Sequence, residues 1–272
     1  MSGKSRAAPD PGSAHRGPDL KGTRSIARTA QLLKSVAERG GTGWQLAALA
    51  ERCELDKSTA HRILNCLVRE RLVTHRPNGR YSPGPVMLEL GLAMRGHQRF
   101  LDLAEQRLTA LAGGTGLTAG FYLHSGDETV CAITVGTATT RDYVEEGIGH
   151  RRPLVRSVPG IAILIALQAS ERDAIVERNL TLLRRREDPR VPAYLEMLKD
   201  SGAACLSVHE EHWFTGVNSY GVAVCGADSE VCAALALSGS TDELPVARRS
   251  EIARILRAES AELGRLAVTL LV

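Results

Sequence analysis

The chain has 272 residues, of which 43% are hydrophobic, 24% charged and 4% aromatic. That is the make-up of a soluble globular protein with room for one large or two ordinary domains. Its formal net charge of +3 hides an asymmetry, because residues 1–100 carry +9 (17 Lys+Arg, 8 Asp+Glu) and residues 101–272 carry −6 (17 against 23). The balance favours contact with a polyanion through the first part only, and the longest apolar run, Ile161–Leu167, is far too short to span a bilayer.

Residues 1–22, rich in Gly, Pro, Ser and Ala, lack an apolar stretch and are expected to be a disordered, mildly basic tail rather than a signal peptide. From Ser25, apolar residues at Ile26, Ala30, Leu33 and Ala37 predict one face of a first helix, ended by Gly40-Gly41. A second short helix turns Leu46, Leu49 and Ala50 inward and breaks near Cys53-Glu54-Leu55. A third follows on LDKSTAHRIL, residues 55–64, with Ala60, Ile63, Leu64 and Leu67 at helical spacing. Two strand-like pieces, Leu72–His75 and Arg80–Ser82, flank Arg76-Pro77-Asn78-Gly79, and Asn-Gly between strand formers is a strong hairpin signal. Three small helices and a hairpin make a winged helix-turn-helix over residues 23–84.

In that motif the last of the three helices enters the major groove with its N-terminal residues nearest the base edges. Lys57, Ser58, Thr59, His61 and Arg62 occupy those places, and Arg76 and Arg80 flank the wing turn. Lys and Arg pair with guanine or phosphate, and Ser and Thr with either. A Ser/Thr-rich first turn also suits any helix start, but the helix pattern, the hairpin and the local charge agree on double-stranded DNA as the partner.

The apolar segment Val86–Met94 is long enough to leave the small domain and pack on a partner or on the next domain, and residues 85–99 are expected to form a linker helix. An amphipathic helix with Phe100, Leu103, Leu108 and Leu111 follows, closed by Gly113–Gly116. Strands are predicted at Leu117–Leu123, Thr129–Val135, Ala204–Val208, Val217–Val224 and Cys232–Leu237, and helices at Ile161–Gln168, Glu171–Leu183, Val191–Lys199 and Leu244–Leu266. Ser170-Glu171-Arg172-Asp173 reads as a cap for the second of these helices, and Arg184–Arg186 as a helix end. Residues 100–272 are therefore expected to be a mixed α+β domain around an antiparallel sheet.

The run from Leu46 to Leu64, continued by Leu67–Val73 and Gly79–Pro85, resembles the IclR family of bacterial transcriptional regulators. So do Pro153–Ala162 (PLVRSVPGIA), Gly216-Val217-Asn218-Ser219 and Ala233–Gly239 (AALALSG). The resemblance runs from about Ser25 to the C-terminus. It implies a winged helix-turn-helix, a linker helix and a GAF-like effector-binding domain, acting as a homodimer or homotetramer on palindromic operators in the cytoplasm, with Val86–Met94 aiding dimerisation. Carried over position by position, it implies an effector pocket lined by Arg152, Val158, Pro159, Val208, Val217, Ser219, Ala236 and Ser238. The turn Ser157–Gly160 either offers free backbone N–H groups to an anion or is a plain helix start. Val208 stands for the family's Asp, Ser219 for its Cys, Ala236 for one of two Ser, Ile161 for a Lys and Val155 for a His. The losses imply a larger, partly hydrophobic effector, or none.

His209-Glu210-Glu211-His212 is not H-E-x-x-H and reads as a charged loop, so no metal and no other cofactor is expected. No nucleophile–base pair and no phosphate-cradling loop can be assembled, which leaves an enzyme with an incidental DNA-binding module as the competing class. Cys53, Cys66, Cys131, Cys205, Cys225 and Cys232 form no CxxC pair and read as buried small hydrophobes in a reducing cytoplasm.

Overall fold

The computed structural model describes residues 23–136, 147–201, 205–211, 215–226 and 230–271. The chain divides into two compact units, Met1–Val36 with Gly41–Pro85, and Ala37–Gly40 with Val86–Val272.

The first unit contains α1 (Arg24–Ala37), α2 (Leu46–Arg52), α3 (Lys57–Arg69), β1 (Val73–His75) and β2 (Tyr81–Pro83). Its core is Leu32, Val36, Trp44, Leu49, Ala50, Cys53, Ala60, Leu64, Leu67, Val73 and Tyr81. The inward face of α1 is thus Leu32, Ser35 and Val36, not the predicted Ile26, Ala30 and Ala37, which are exposed. Leu32 and Val36 lie four apart on one side of the helix and are fully buried, and Leu33 packs partly against the same core. β1 and β2 pair antiparallel across the Asn78-Gly79 turn. Arg76 N–H donates to Arg80 O (2.8 Å), Gly79 N–H to Arg76 O (2.9 Å), and Gly79 takes a φ of +75°. Trp44 adds a short bridge to Tyr81 on the same hairpin.

The second unit opens with α4 (Pro85–Gly91) and α5 (Arg95–Thr115). The expected single linker helix over 85–99 is therefore interrupted at Leu92–Met94, after Gly91. The remaining elements are β3 (Thr118–Ser125), β4 (Glu128–Val135), β5 (Arg151–Pro153), α6 (Val158–Ala166), α7 (Ala169–Arg185), α8 (Val191–Ser201), β6 (Ser207–Glu210), β7 (Val217–Cys225), β8 (Val231–Ser240) and α9 (Arg249–Leu271). Among the described residues β3–β8 form one sheet in the order β5-β4-β3-β8-β7-β6, antiparallel at every pairing. One face packs on α5 and α9 through Phe100, Leu108, Phe121, Leu235, Tyr220 and Leu256. The other packs on α6, α7 and α8 through Tyr122, Ala234, Ala236, Ile161, Ile175 and Tyr194. This three-layer α+β unit agrees with the expected antiparallel sheet flanked by helices.

Three local readings change. β5, with two arginines in three residues, had no apolar signal. The Ser170 cap does not form, because α7 starts at Ala169 and its N-cap, Gln168, makes no side-chain bond. The last helix starts at Arg249, after Pro245 and a 3₁₀ turn at Val246–Arg248, rather than at Leu244.

Candidate nucleic-acid interface and ligand site

The start of α3 is built around Asp56. Its Oδ1 accepts from Thr59 N–H (2.8 Å) and from the Ser58 hydroxyl (2.6 Å), supplying the first turn with an acceptor. These bonds, Ser58 first, hold the Asp56 carboxyl far below the usual carboxylate range. Ala60, Leu64 and Leu67 bury the inner side of the helix. Lys57, Ser58, His61 and Arg62 are exposed and Thr59 is half-buried. The five donors therefore split: Ser58 and Thr59 bond to the cap, while Lys57, His61 and Arg62 present themselves outward. Because the folded pKa of Asp56 is depressed, its contribution to stability is present above the ordinary carboxylate range. It is lost as pH falls below about 4, so Asp56→Ala should flatten the acid limb of a pH-dependent unfolding curve.

The wing arginines flank the turn as expected and are bonded within the unit. Arg76 Nε donates to Ser82 Oγ (2.9 Å) and its Nη1 to the carbonyl of Gly41 (2.9 Å), while Arg80 Nη1 donates to the carbonyl of Gly43 (3.1 Å). Both guanidinium groups thus tie the hairpin to the turn before α2. Their partners lie 35 and 37 residues away, beyond what local sequence reveals.

In the second unit, cross-strand pairs share a face, so register sorts the residues. Thr118 pairs with Ser238, Ser238 with Ser219, and Ser219 with His209, which places four polar side chains in one row across β3, β8, β7 and β6. The next row is Gly120, Ala236, Gly221 and Ser207, and Tyr122, Ala234 and Ala223 lie beyond it. This is the α6 side of the sheet, since a Cβ on Gly221 would stand 2.9 Å from Val158 Cγ1. Ser219 and Ser238 hydroxyls are 2.7 Å apart, and Ser219 also donates to Leu237 O (3.2 Å). The buried Thr118 and Ser207 hydroxyls find no hydrogen-bond partner among the described residues. Buried polar groups are seldom left so.

Of the expected effector residues, Val158, Val217, Ser219, Ala236 and Ser238 share this face, with Arg152 beside them on β5. Arg152 faces Thr129 on β4 and lies close enough to Tyr122 to act on its phenol. Burial is the main cause that pushes the Tyr122 hydroxyl well above its ordinary range, and burial also pushes the Cys131 thiol up to about 11. The Tyr122 ring lies over Gly120, within 2.6 Å of where a Cβ would stand. Val208 lies on the opposite face. It pairs with Tyr220 and packs in the core against α5 and α9, so its neighbour His209, 2% exposed, faces the row instead. Thr118, Ser207 and Tyr122 were missed because each becomes visible only once strands are registered.

The start of α6 offers little to an anion. Ser157 Oγ accepts from Gly160 N–H (3.1 Å), Pro159 has no N–H, and only Val158 N–H remains in the first turn. Gly160 itself is a packing residue, since a Cβ there would meet Leu154 O at 2.0 Å. The stretch expected to be a charged loop begins instead on β6, which holds Glu210 and the buried His209, and His212 lies outside the described residues. Among the described residues no cluster of metal-ligating side chains forms, and no helix is long and apolar enough to cross a membrane.

Comparison with known proteins agrees with both units. Residues 25–77 match the IclR helix-turn-helix domain, and residues 95–265 match the C-terminal domain of bacterial transcriptional regulators of the IclR type. The HTH-type transcriptional repressor AllR of Klebsiella pneumoniae is 25% identical over 228 residues, covering 82% of each chain. The HTH-type transcriptional regulator XynR of Escherichia coli K12 is 26% identical over 248 residues, or 89% of this chain and 96% of the relative. The crystal structure of an IclR family transcriptional regulator from Brucella abortus shares the fold with a TM-score of 0.66 at 22% identity, covering 88% and 90% of the two chains. With its helix-turn-helix unit and its sheet unit both matched, the chain belongs to the IclR family of bacterial transcriptional regulators and binds DNA through its N-terminal domain.

Proposed function

We propose that this regulator binds a palindromic operator as a homodimer or homotetramer in the cytoplasm, and that a small molecule seated on the α6 face of the sheet sets its affinity. Lys57 and Arg62 meet the bases or phosphates, His61 lies beside them on the same exposed face, and Ser58 and Thr59 chiefly shape the helix start. Arg76 and Arg80 hold the wing and approach the backbone only after exchanging their carbonyl partners. The working domains are 23–84, 85–99 and 100–272. Dimerisation through the linker is supported by α4, which buries no residue, and by Leu88, Leu90, Leu92 and Met94, all exposed. Half-sites then lie about 10–10.5 bp apart or a multiple of it.

The observation that carries the effector reading is the row Thr118-Ser238-Ser219-His209, next to the unpartnered Ser207 hydroxyl and bordered by Ala234, Ala236 and Ala223. The ligand carries an oxygen-bearing head for the row and an apolar body for the alanines and Val158. A ligand acts only if it binds the DNA-competent and DNA-incompetent arrangements with different affinity.

Calorimetric titration of the full chain with benzoate, pyruvate and glyoxylate tests this. Benzoate is expected to bind and to shift operator retention in a gel-shift. Tight binding of glyoxylate or pyruvate in its place overturns the apolar body, and a gel-shift that no acid alters overturns the effector role. Arg62→Ala is expected to weaken specific binding by ~1–3 kcal/mol if the guanidinium pairs with a base. A gel-shift series in rising salt checks it, since loss of a phosphate contact weakens all sequences alike and lowers the salt slope by about one.

A further inference from the structure

The exposed face of α3 continues beyond the residues already assigned. One turn after His61 and Arg62 come Asn65 and Cys66, both exposed, and Arg69 follows. A helix rises 1.5 Å per residue, so His61 and Asn65 are about 6 Å apart along the axis, close to two base-pair steps of about 3.4 Å. Helical side chains lean toward the N-terminus, which hangs the Asn65 amide over the His61 turn. There Asn65 Nδ2 lies 3.4 Å from His61 Nε2 and 3.5 Å from Nδ1. An amide nitrogen carries two N–H groups, so a bond to the ring leaves one N–H and the Oδ1 acceptor for a base.

A carboxamide sets an acceptor beside a donor. Adenine alone presents the complement in the major groove, an N7 acceptor beside an N6 donor. The first-turn hydroxyls cannot take that role, because Ser58 and Thr59 bond to Asp56. We propose that Asn65 is the specificity-determining residue of α3, reading an adenine, and that His61 is a positioning residue holding its amide plane. This rests on α3 being the helix that reads the operator.

The test is selection of the full chain on randomised double-stranded DNA, followed by sequencing of the retained duplexes. The wild-type protein is expected to enrich a motif with an A·T pair at one position of each half-site. Asn65→Ala should lose the preference at that position alone, by about five- to more than a hundredfold, and keep the rest of the motif. Asn65→Asp keeps the shape but only accepts, so its preference should move to cytosine, whose N4 donates. His61→Ala should keep adenine with a weaker preference. An Asn65→Ala motif identical to the wild type, or a loss spread evenly over all positions, overturns the assignment to Asn65. An unchanged adenine preference in His61→Ala overturns the positioning role. A wild-type protein that enriches no motif overturns the reading of α3 as well.

Discussion

Gly84→Ala is expected to unfold the DNA-binding unit or displace its wing, and to abolish operator retention. A Cβ at this position would lie 2.2 Å from Arg71 O, 2.8 Å from Arg71 C and 2.9 Å from Leu72 C. All three are backbone atoms that cannot rotate away, and Gly84 N–H donates to Leu72 O at 2.9 Å where the chain closes the wing. Relief requires β2 to move off the end of α3, at a cost on the order of 3 kcal/mol. A unit of this size has a total stability of only about 3–9 kcal/mol, so the substitution removes a large part of it. Gly79→Ala is the control, because its φ of +75° meets nothing within 4 Å. The cost there is only left-handed backbone strain, about 1–2 kcal/mol. Circular dichroism melts beside gel-shifts read both effects. A Gly84→Ala protein with wild-type melting and retention would show that the close approach to Arg71 is not needed.

The contrast between these glycines also marks what a sequence discloses. The Asn78-Gly79 turn is legible because its chemistry is local: Gly79 takes the positive φ, and Asn78 Oδ1 accepts from Arg80 N–H. The recognition helix is legible for the same reason, since Asp56 caps it from one residue outside and Ala60, Leu64 and Leu67 repeat at helical spacing. Gly84 carries no such signal, because its constraint comes from a residue 13 positions earlier. The arginines of the wing point the same way. Charge beside a turn predicts a DNA contact, while the carbonyls that engage Arg76 and Arg80 belong to a distant loop.

The ligand face shows the limit most plainly. Ser219, Ser238 and Ala236 are expected from the resemblance to relatives, while on β6 it is His209 and not Val208 that lies on their face. In a strand a slip of one residue exchanges the two faces. Only the pairing of His209 with Ser219 and of Val208 with Tyr220 decides which side chain faces the polar row. Thr118 and Ser207 are ordinary residues in sequence and become notable when burial leaves their hydroxyls without partners.

What fixes that register makes Glu210→Ala the second large effect expected. Glu210 ends β6, and its Oε1 accepts from the Tyr220 hydroxyl (2.7 Å) and from Arg249 Nε (2.7 Å), with Arg249 Nη2 on Oε2 as well. Tyr220 is fully buried, whereas the Arg249 side chain is 44% exposed. The ion pair is therefore screened and worth little. The loss falls mainly on the phenol, whose buried donor is left unsatisfied at ~1–3 kcal/mol. Glu210→Ala should lower the denaturant midpoint of the second unit accordingly, while Arg249→Ala should cost under ~1 kcal/mol. Glu210→Gln, which still accepts from Tyr220, should recover most of the loss. Burial first, then the bond to Glu210, raises the Tyr220 pKa well above its ordinary value. Its stabilisation is thus complete below about pH 10 and declines as pH climbs toward the folded pKa. Since His209 precedes Glu210 on the same short strand, a loosened β6 should also weaken the effector binding proposed above. Equal losses in Glu210→Ala and Arg249→Ala would place the effect on the ion pair and not on the phenol.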